Sequence, residues 1–410
     1  MMLLLSSSTV GLAADKPVKH QLTFYGTQIT VRVSEDVRQA ADTLTQETLE
    51  TRVGAIQAES AATIDDLRKI KIKYRLCDWA YLKLVEQLSQ EWCGKTHEAS
   101  LFMYTLLCMS GYDCRLATTA TEGNTTPTDS LRILAAIDAI IYNRIYYKDK
   151  SNNRMYYPLY ANNTERLFTY KSPLTGTKAI SLVLKDLPLF DVSPSEKLTI
   201  TAKTYPDMTA TYTVNRNLVN FFDDYPSSQP NDEFGSRWVL LANTPLSEDL
   251  KKKLYPQLQR GLKKCKTDVE KVARILNMLQ PYNMKDSTLM AADYSIYGLP
   301  YEYDDSVWNG DRAFFAEETL FYRTCDSEDR AILFTRLVRD LVGLPCALIY
   351  YPGHLAAAVQ FKETIEGKTY VAPDGSTYTV CDPTYANATI GMEMPFESIE
   401  DFDVKLIPLK

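Results

Sequence analysis

Only three histidines occur in 410 residues, His20, His97 and His354, against eight cysteines. An imidazole base must therefore be one of these three. His354 follows Pro352-Gly353 and leads into the apolar run 355–361, and Asp382 follows in Cys381-Asp382-Pro383-Thr384-Tyr385. Upstream, Cys325 and Ser327 stand in Thr324-Cys325-Asp326-Ser327-Glu328-Asp329-Arg330-Ala331. A thiol or hydroxyl, an imidazole and an orienting carboxylate are the parts of nucleophilic acyl transfer. Metal chemistry is poorly supplied, because no Cys-x-x-Cys spacing accompanies the few histidines. The acidic run 304–311 invites a calcium reading, but Val307 occupies a ligand position and no Glu stands at the twelfth. No metal or organic cofactor is expected.

These residues need elements to hold them. Apolar Leu333, Phe334, Leu337, Val338 and Leu341 form one stripe of a helix that opens near Ser327 and stops at Gly343. Acidic residues crowd its first turn, where they suit the helix dipole. Strand-like runs follow at 346–351 and 355–361, then a hairpin punctuated by Gly367 and Gly375, then 378–381.

This order of helix, His-bearing strand and Asp-bearing strand resembles the transglutaminase-like superfamily, relatives of the papain-like cysteine peptidases. The resemblance rests on E-D-R-A-I-L-F-x-R-L-V-R-D-L-V-G-L-P, on Y-P-G-H-L-A-A-A-V and on C-D-P-T-Y, and covers residues 264–395. It implies a thiolate at a helix N-terminus, His354 as its base and Asp382 as the orienting carboxylate. It also implies an acyl-thioester that passes to water or to an amine. The family's nucleophile stands four residues before the small residue, here Ala331, and that count lands on Ser327. Cys325 lies two residues earlier, about 200° away around a helix.

Three readings remain open. Ser327 is an N-cap serine in a site that has lost its thiol; or Cys325 acts through local rearrangement; or Ser327 is an alcohol nucleophile with His354 and Asp382. The last needs full general-base help and an oxyanion hole. Tyr322 and Trp308 are candidates for an oxyanion-side or substrate-wall group, with core packing as the plainer role.

Residues 93–116 align without gaps on 325–348, pairing Cys93 with Cys325, Ala99 with Ala331, Gly111 with Gly343 and Cys114 with Cys346. Leu134-Ala135-Ala136 then matches Leu355-Ala356-Ala357, and Pro158-x-Tyr160 matches Pro383-x-Tyr385. On these offsets Lys95, Ile133 and Tyr157 replace Ser327, His354 and Asp382, so the first copy has no triad. His97 would then sit on a helix without a partner, in a structural role.

The whole chain is 45% hydrophobic, 24% charged and 11% aromatic, which excludes a mostly disordered protein. Its net charge of -7 gives no reason to expect nucleic acid as a partner. Residues 1–14 read as the end of a secretory signal with cleavage near Ala13 or Ala14, which predicts export to a periplasmic or extracellular space. The cysteines could then pair, in a pattern the sequence does not specify. No later run is long enough for a membrane span.

The expected architecture is α+β and multidomain. A degenerate transglutaminase-like helical/β module covers 15–163, a β-sandwich with a linker 164–245, and a papain/transglutaminase-like domain 246–410. The expected function is acyl transfer or hydrolysis of protein or peptide amides through Cys325 or Ser327 with His354 and Asp382. The competing expectation is a catalytically inactive binding protein of this fold for a peptide or glycan.

Overall fold

The computed structural model describes residues 16–38, 45–120, 131–159, 166–281, 297–302, 312–393 and 403–410. The fold mixes helices with several sheets and divides into two compact units. Met1–Ile137 and Arg144–Ile180 make the first, and Asp138–Asn143 with Ser181–Lys410 the second. The signal-like residues 1–14 lie outside the described residues. Among those described, no helix is long and apolar enough to cross a membrane.

The first unit opens on the hairpin Val18–Phe24 and Thr27–Val33, turned by Tyr25-Gly26, both at positive φ. Its alternation buries Leu22, Phe24, Ile29, Val31 and Val33 on one face. Four helices follow: Gln46–Glu59, Ala61–Lys73, Asp78–Cys93 and His97–Met109. The last carries Leu101, Phe102, Leu106 and Leu107, all at most 1% exposed, and packs on a five-stranded antiparallel sheet.

In the second unit, the hairpin Leu198–Thr201 with Thr209–Tyr212 precedes the helices Arg216–Asp223, Ser236–Asn243, Glu248–Leu262 and Asp268–Leu279. Ala316–Tyr322 and Ser327–Leu341 follow, and then a second five-stranded antiparallel sheet. The two sheets share one topology. In chain order, Cys114–Ala120, Leu131–Ala136, Tyr147–Lys148, Met155–Leu159 and Arg166–Thr169 lie side by side as third, fourth, second, first, fifth. Cys346–Tyr351, His354–Val359, Thr369–Val371, Thr377–Val380 and Lys405–Pro408 repeat that order. In each unit a helix immediately precedes the first of these strands. The run of alanines in the strand His354–Val359 lets that helix approach closely, and Leu355 to Val359 are all buried.

Two expectations are corrected here. No β-sandwich forms across 166–245: the runs near 200 and 210 make a lone hairpin, while 181–193 follows an irregular path without strands. Pro188 and Pro194 lack the N–H that a ladder needs, and Leu182, Leu184, Leu187 and Phe190 are buried as separate anchors instead. The expected border at 245/246 is also absent, because 181–245 belongs to the same unit as the C-terminal sheet.

Candidate active site

The helix Ser327–Leu341 is capped by Asp326, whose Oδ1 accepts from the N–H groups of Glu328 (3.0 Å) and Asp329 (3.5 Å). Ser327 is therefore the first helical residue and not the cap, which corrects the N-cap reading. Its neighbours are tied down one by one. Glu328 Oε2 accepts from the Trp238 indole at 2.7 Å and lies 3.5 Å from Arg237 Nη2, while Asp329 Oδ1 accepts from Phe314 N at 2.7 Å. Arg330 is fully buried, and its guanidinium donates to the carbonyls of Leu279, Leu299 and Cys325 at 2.6, 2.6 and 3.4 Å. Asp326 before Ser327, and Glu328, Asp329 and Arg330 after it, thus fix the backbone on either side of Ser327, which is the preorganisation a reactive position needs.

His354 arrives by a tight connection. Tyr351 pairs with His354 across the hairpin, and Gly353 between them takes φ 80°, the left-handed region open to glycine without strain. Asp382 follows the strand Thr377–Val380, which pairs with the His-bearing strand, and Cys381 N continues the pairing to Ala357 O at 2.8 Å. The ladder brings the two side chains together: His354 Nε2 lies 2.9 Å from Asp382 Oδ2, with the side chains 8% and 1% exposed. With Nε2–H donated to the carboxylate, Nδ1 is the nitrogen able to take a proton from a nucleophile. The other carboxylate oxygen, Oδ1, accepts from Thr384 N at 2.9 Å and Thr384 Oγ1 at 2.5 Å.

Ser327 reaches the same corner. Its Oγ accepts from Leu355 N, the residue after His354, at 3.4 Å, which leaves its own O–H to donate. Cys325 sits in the preceding segment, 2% exposed, where its backbone bridges to Tyr301 and bonds Pro300 O at 3.3 Å. None of the eight cysteines forms a disulfide. Cys381, beside Asp382, is pushed well above the ordinary thiol range by burial, then by Cys346 and Asp382, the wrong direction for a nucleophile. Tyr322 donates its hydroxyl to Asp223 at 2.9 Å, so it is engaged there. Trp308 and the acidic run 304–311 lie outside the described residues.

Thr384 and Trp238 were missed by sequence reasoning. Thr384 had a legible signal, since a hydroxyl two residues after an Asp is a standard local partner. Trp238 had none, because it meets Glu328 from a distant part of the chain.

The first unit repeats the corner with other residues. Cys114 pairs with Ala135, and Cys346 with Val359, so Leu131 is the counterpart of Leu355, not Leu134. The same register carries Leu159 onto Cys381. The counterparts of His354 and Asp382 thus shift from Ile133 and Tyr157 to positions 130 and 160, a Ser and a Tyr outside the described residues. His97, expected to lack a partner, has one: its Nδ1 accepts from Leu131 N at 3.4 Å, the bond that Ser327 accepts from Leu355 in the second unit.

Comparison with family models, with curated proteins and with solved structures finds no match to this chain.

Proposed function

We propose that the protein is a transglutaminase-like acyl transferase or hydrolase of protein or peptide amides, with Ser327 as nucleophile, His354 as base and Asp382 as orienting carboxylate. The observation that carries this reading is the 2.9 Å His354–Asp382 bond, with the Ser327 hydroxyl bound to the next residue of the same strand. Ser327 Oγ attacks the amide carbonyl carbon while its proton passes to His354 Nδ1, and Asp382 balances the imidazolium. The proton then goes to the departing amine as the C–N bond breaks, which leaves an acyl ester on Ser327. Water or a second amine takes the acyl group, and its proton returns through His354. Asp326 occupies the N–H groups of Glu328 and Asp329, so the Ser327 N–H is the first-turn donor available to the oxyanion.

A fluorophosphonate reagent tests this on the full chain. The expected result is a covalent adduct at Ser327, identified by peptide mass, that is lost in Ser327→Ala and reduced at least about a hundredfold in His354→Ala. Unreduced labelling in His354→Ala would sink the proposal. His354-dependent alkylation of Cys325 by iodoacetamide, without any Ser327 adduct, would transfer the role to the thiol. A folded protein inert to both reagents would favour the binding-protein reading, which the burial of Ser327 (8% exposed) also suits.

A further inference from the structure

The corner that holds Ser327 and His354 in the second unit is, in the first unit, the wall of a cavity of about 680 Å³. That volume lies in the range of small-molecule sites. The Leu131 N–His97 Nδ1 bond lies at its wall, as the Leu355 N–Ser327 Oγ bond lies at the catalytic corner. Its floor is apolar, from Met103, Leu131, Ile133 and Leu159. Its rim is cationic, with Lys95 and Arg132, and it includes the start of the helix His97–Met109.

Three further observations point to an anionic group. The cap residue Thr96 makes no side-chain capping bond, so it leaves the first-turn N–H groups to other acceptors. His97 accepts through Nδ1, which puts the proton of the neutral ring on Nε2 and makes it a donor. Ser89, another wall residue, is 1% exposed and its Oγ has no hydrogen-bond partner among the described residues. A buried hydroxyl left unpaired is costly, and a ligand atom or a water entering the cavity would satisfy it. Among the described residues, the one acidic side chain of the wall, Glu86, lies 2.9 Å from Lys83 Nζ and is offset by it, yet it disfavours a doubly charged anion.

We propose that this cavity binds a small monocarboxylate with an apolar body, the chemistry of a peptide C-terminus ending in an aliphatic residue. The carboxylate meets Lys95, Arg132 and His97 Nε2–H, and the aliphatic side chain rests on Met103 and Ile133. This site is independent of whether Ser327 reacts.

With only three histidines, the ring Cε1–H signals of the full chain can be followed one by one in solution and assigned with His97→Gln. The probe is N-acetyl-L-leucine. The expected result is a saturable shift of the His97 signal alone, with His20 and His354 unmoved. N-acetyl-L-leucinamide, which lacks the charge, should bind at least about tenfold more weakly. Lys95→Ala, at an exposed rim position, should weaken the carboxylate about threefold or more, while Ile133→Trp should fill the cavity and abolish the shift. No shift of His97 at about 20 mM probe would overturn the proposal, being far above the Kd of a useful site. An equal response to the amide, equally tight competition by inorganic phosphate, or an unchanged response in folded Ile133→Trp would overturn it as well.

Discussion

The backbone N–H and the hydroxyl of Thr384 converge on one oxygen of Asp382, at 2.9 and 2.5 Å, and leave the other to His354. Two donors from one residue hold the carboxylate plane, and the carboxylate in turn holds the imidazole. Thr384 Oγ1 also lies 3.4 Å from His354 Nε2, so Thr384 is a positioning residue that acts through Asp382 and on the imidazole itself.

Thr384→Val keeps the shape and the backbone donor and removes the hydroxyl. Fluorophosphonate labelling of Ser327 should slow about tenfold, with the midpoint of its pH–rate profile displaced, and Thr384→Ser should restore both. A valine variant with unchanged rate and profile would show that the backbone donor alone suffices.

Glu317 predicts a stability that falls with pH. It is 1% exposed, its carboxylate accepts from Ser247 N and Oγ at 2.6 and 2.8 Å, and burial pushes it up from 4.5 to about 7. Glu318 is pushed to about 7 by burial as well, against the pull of Arg312. Between about 4.5 and about 7 the folded state holds protons that the unfolded state has released, so stability is lost as pH rises through that window, by up to about 3 kcal/mol per group. Urea midpoints measured at pH 5 and pH 8 should differ accordingly. Glu317→Gln should remove about half of the difference, and an unaltered difference would rule Glu317 out as a source.

Asp78 has the opposite sign. Burial pushes it up, but Lys178, Lys71 and Tyr112, at 2.8, 2.8 and 2.7 Å, hold it down at about 2. Its stabilisation of the first unit is present above the ordinary value near 3.8 and disappears as pH falls through about 2. Asp78→Asn should cost about 2 kcal/mol at pH 7, a figure moderated by the exposure of Lys178, and should make acid unfolding less steep below pH 4. Thermal melts at pH 7 and pH 3 check both: a loss as large at pH 3 as at pH 7 would contradict the assignment.

Much of the C-terminal site was legible because its signals are local. The stripe Leu333, Phe334, Leu337, Val338 and its Gly343 stop specify a helix, and Pro352-Gly353 specifies the turn that delivers His354. The cap was misread because Asp326 and Ser327 are both good caps, and only the bonds to Glu328 N and Asp329 N distinguish them. The register of the first sheet was misread because Leu-Ala-Ala carries almost no side-chain identity, so a match by letters can slide along a strand. The hold of Trp238 on Glu328 and of Arg330 on Leu279 and Leu299 joins residues far apart in sequence, and no periodicity reports it.

The shared strand order imposes the same timing on the two units. In the first, Cys114–Ala120 waits for Arg166–Thr169 to cover its outer side. In the second, Cys346–Tyr351 waits for Lys405–Pro408 to cover its outer side. Until those residues emerge, an apolar strand with unpaired backbone groups stands open on the nascent chain, ready to pair with another copy. The intervals between residues 120 and 166 and between 351 and 405 are therefore when this chain is most exposed to aggregation, and when a chaperone would matter most.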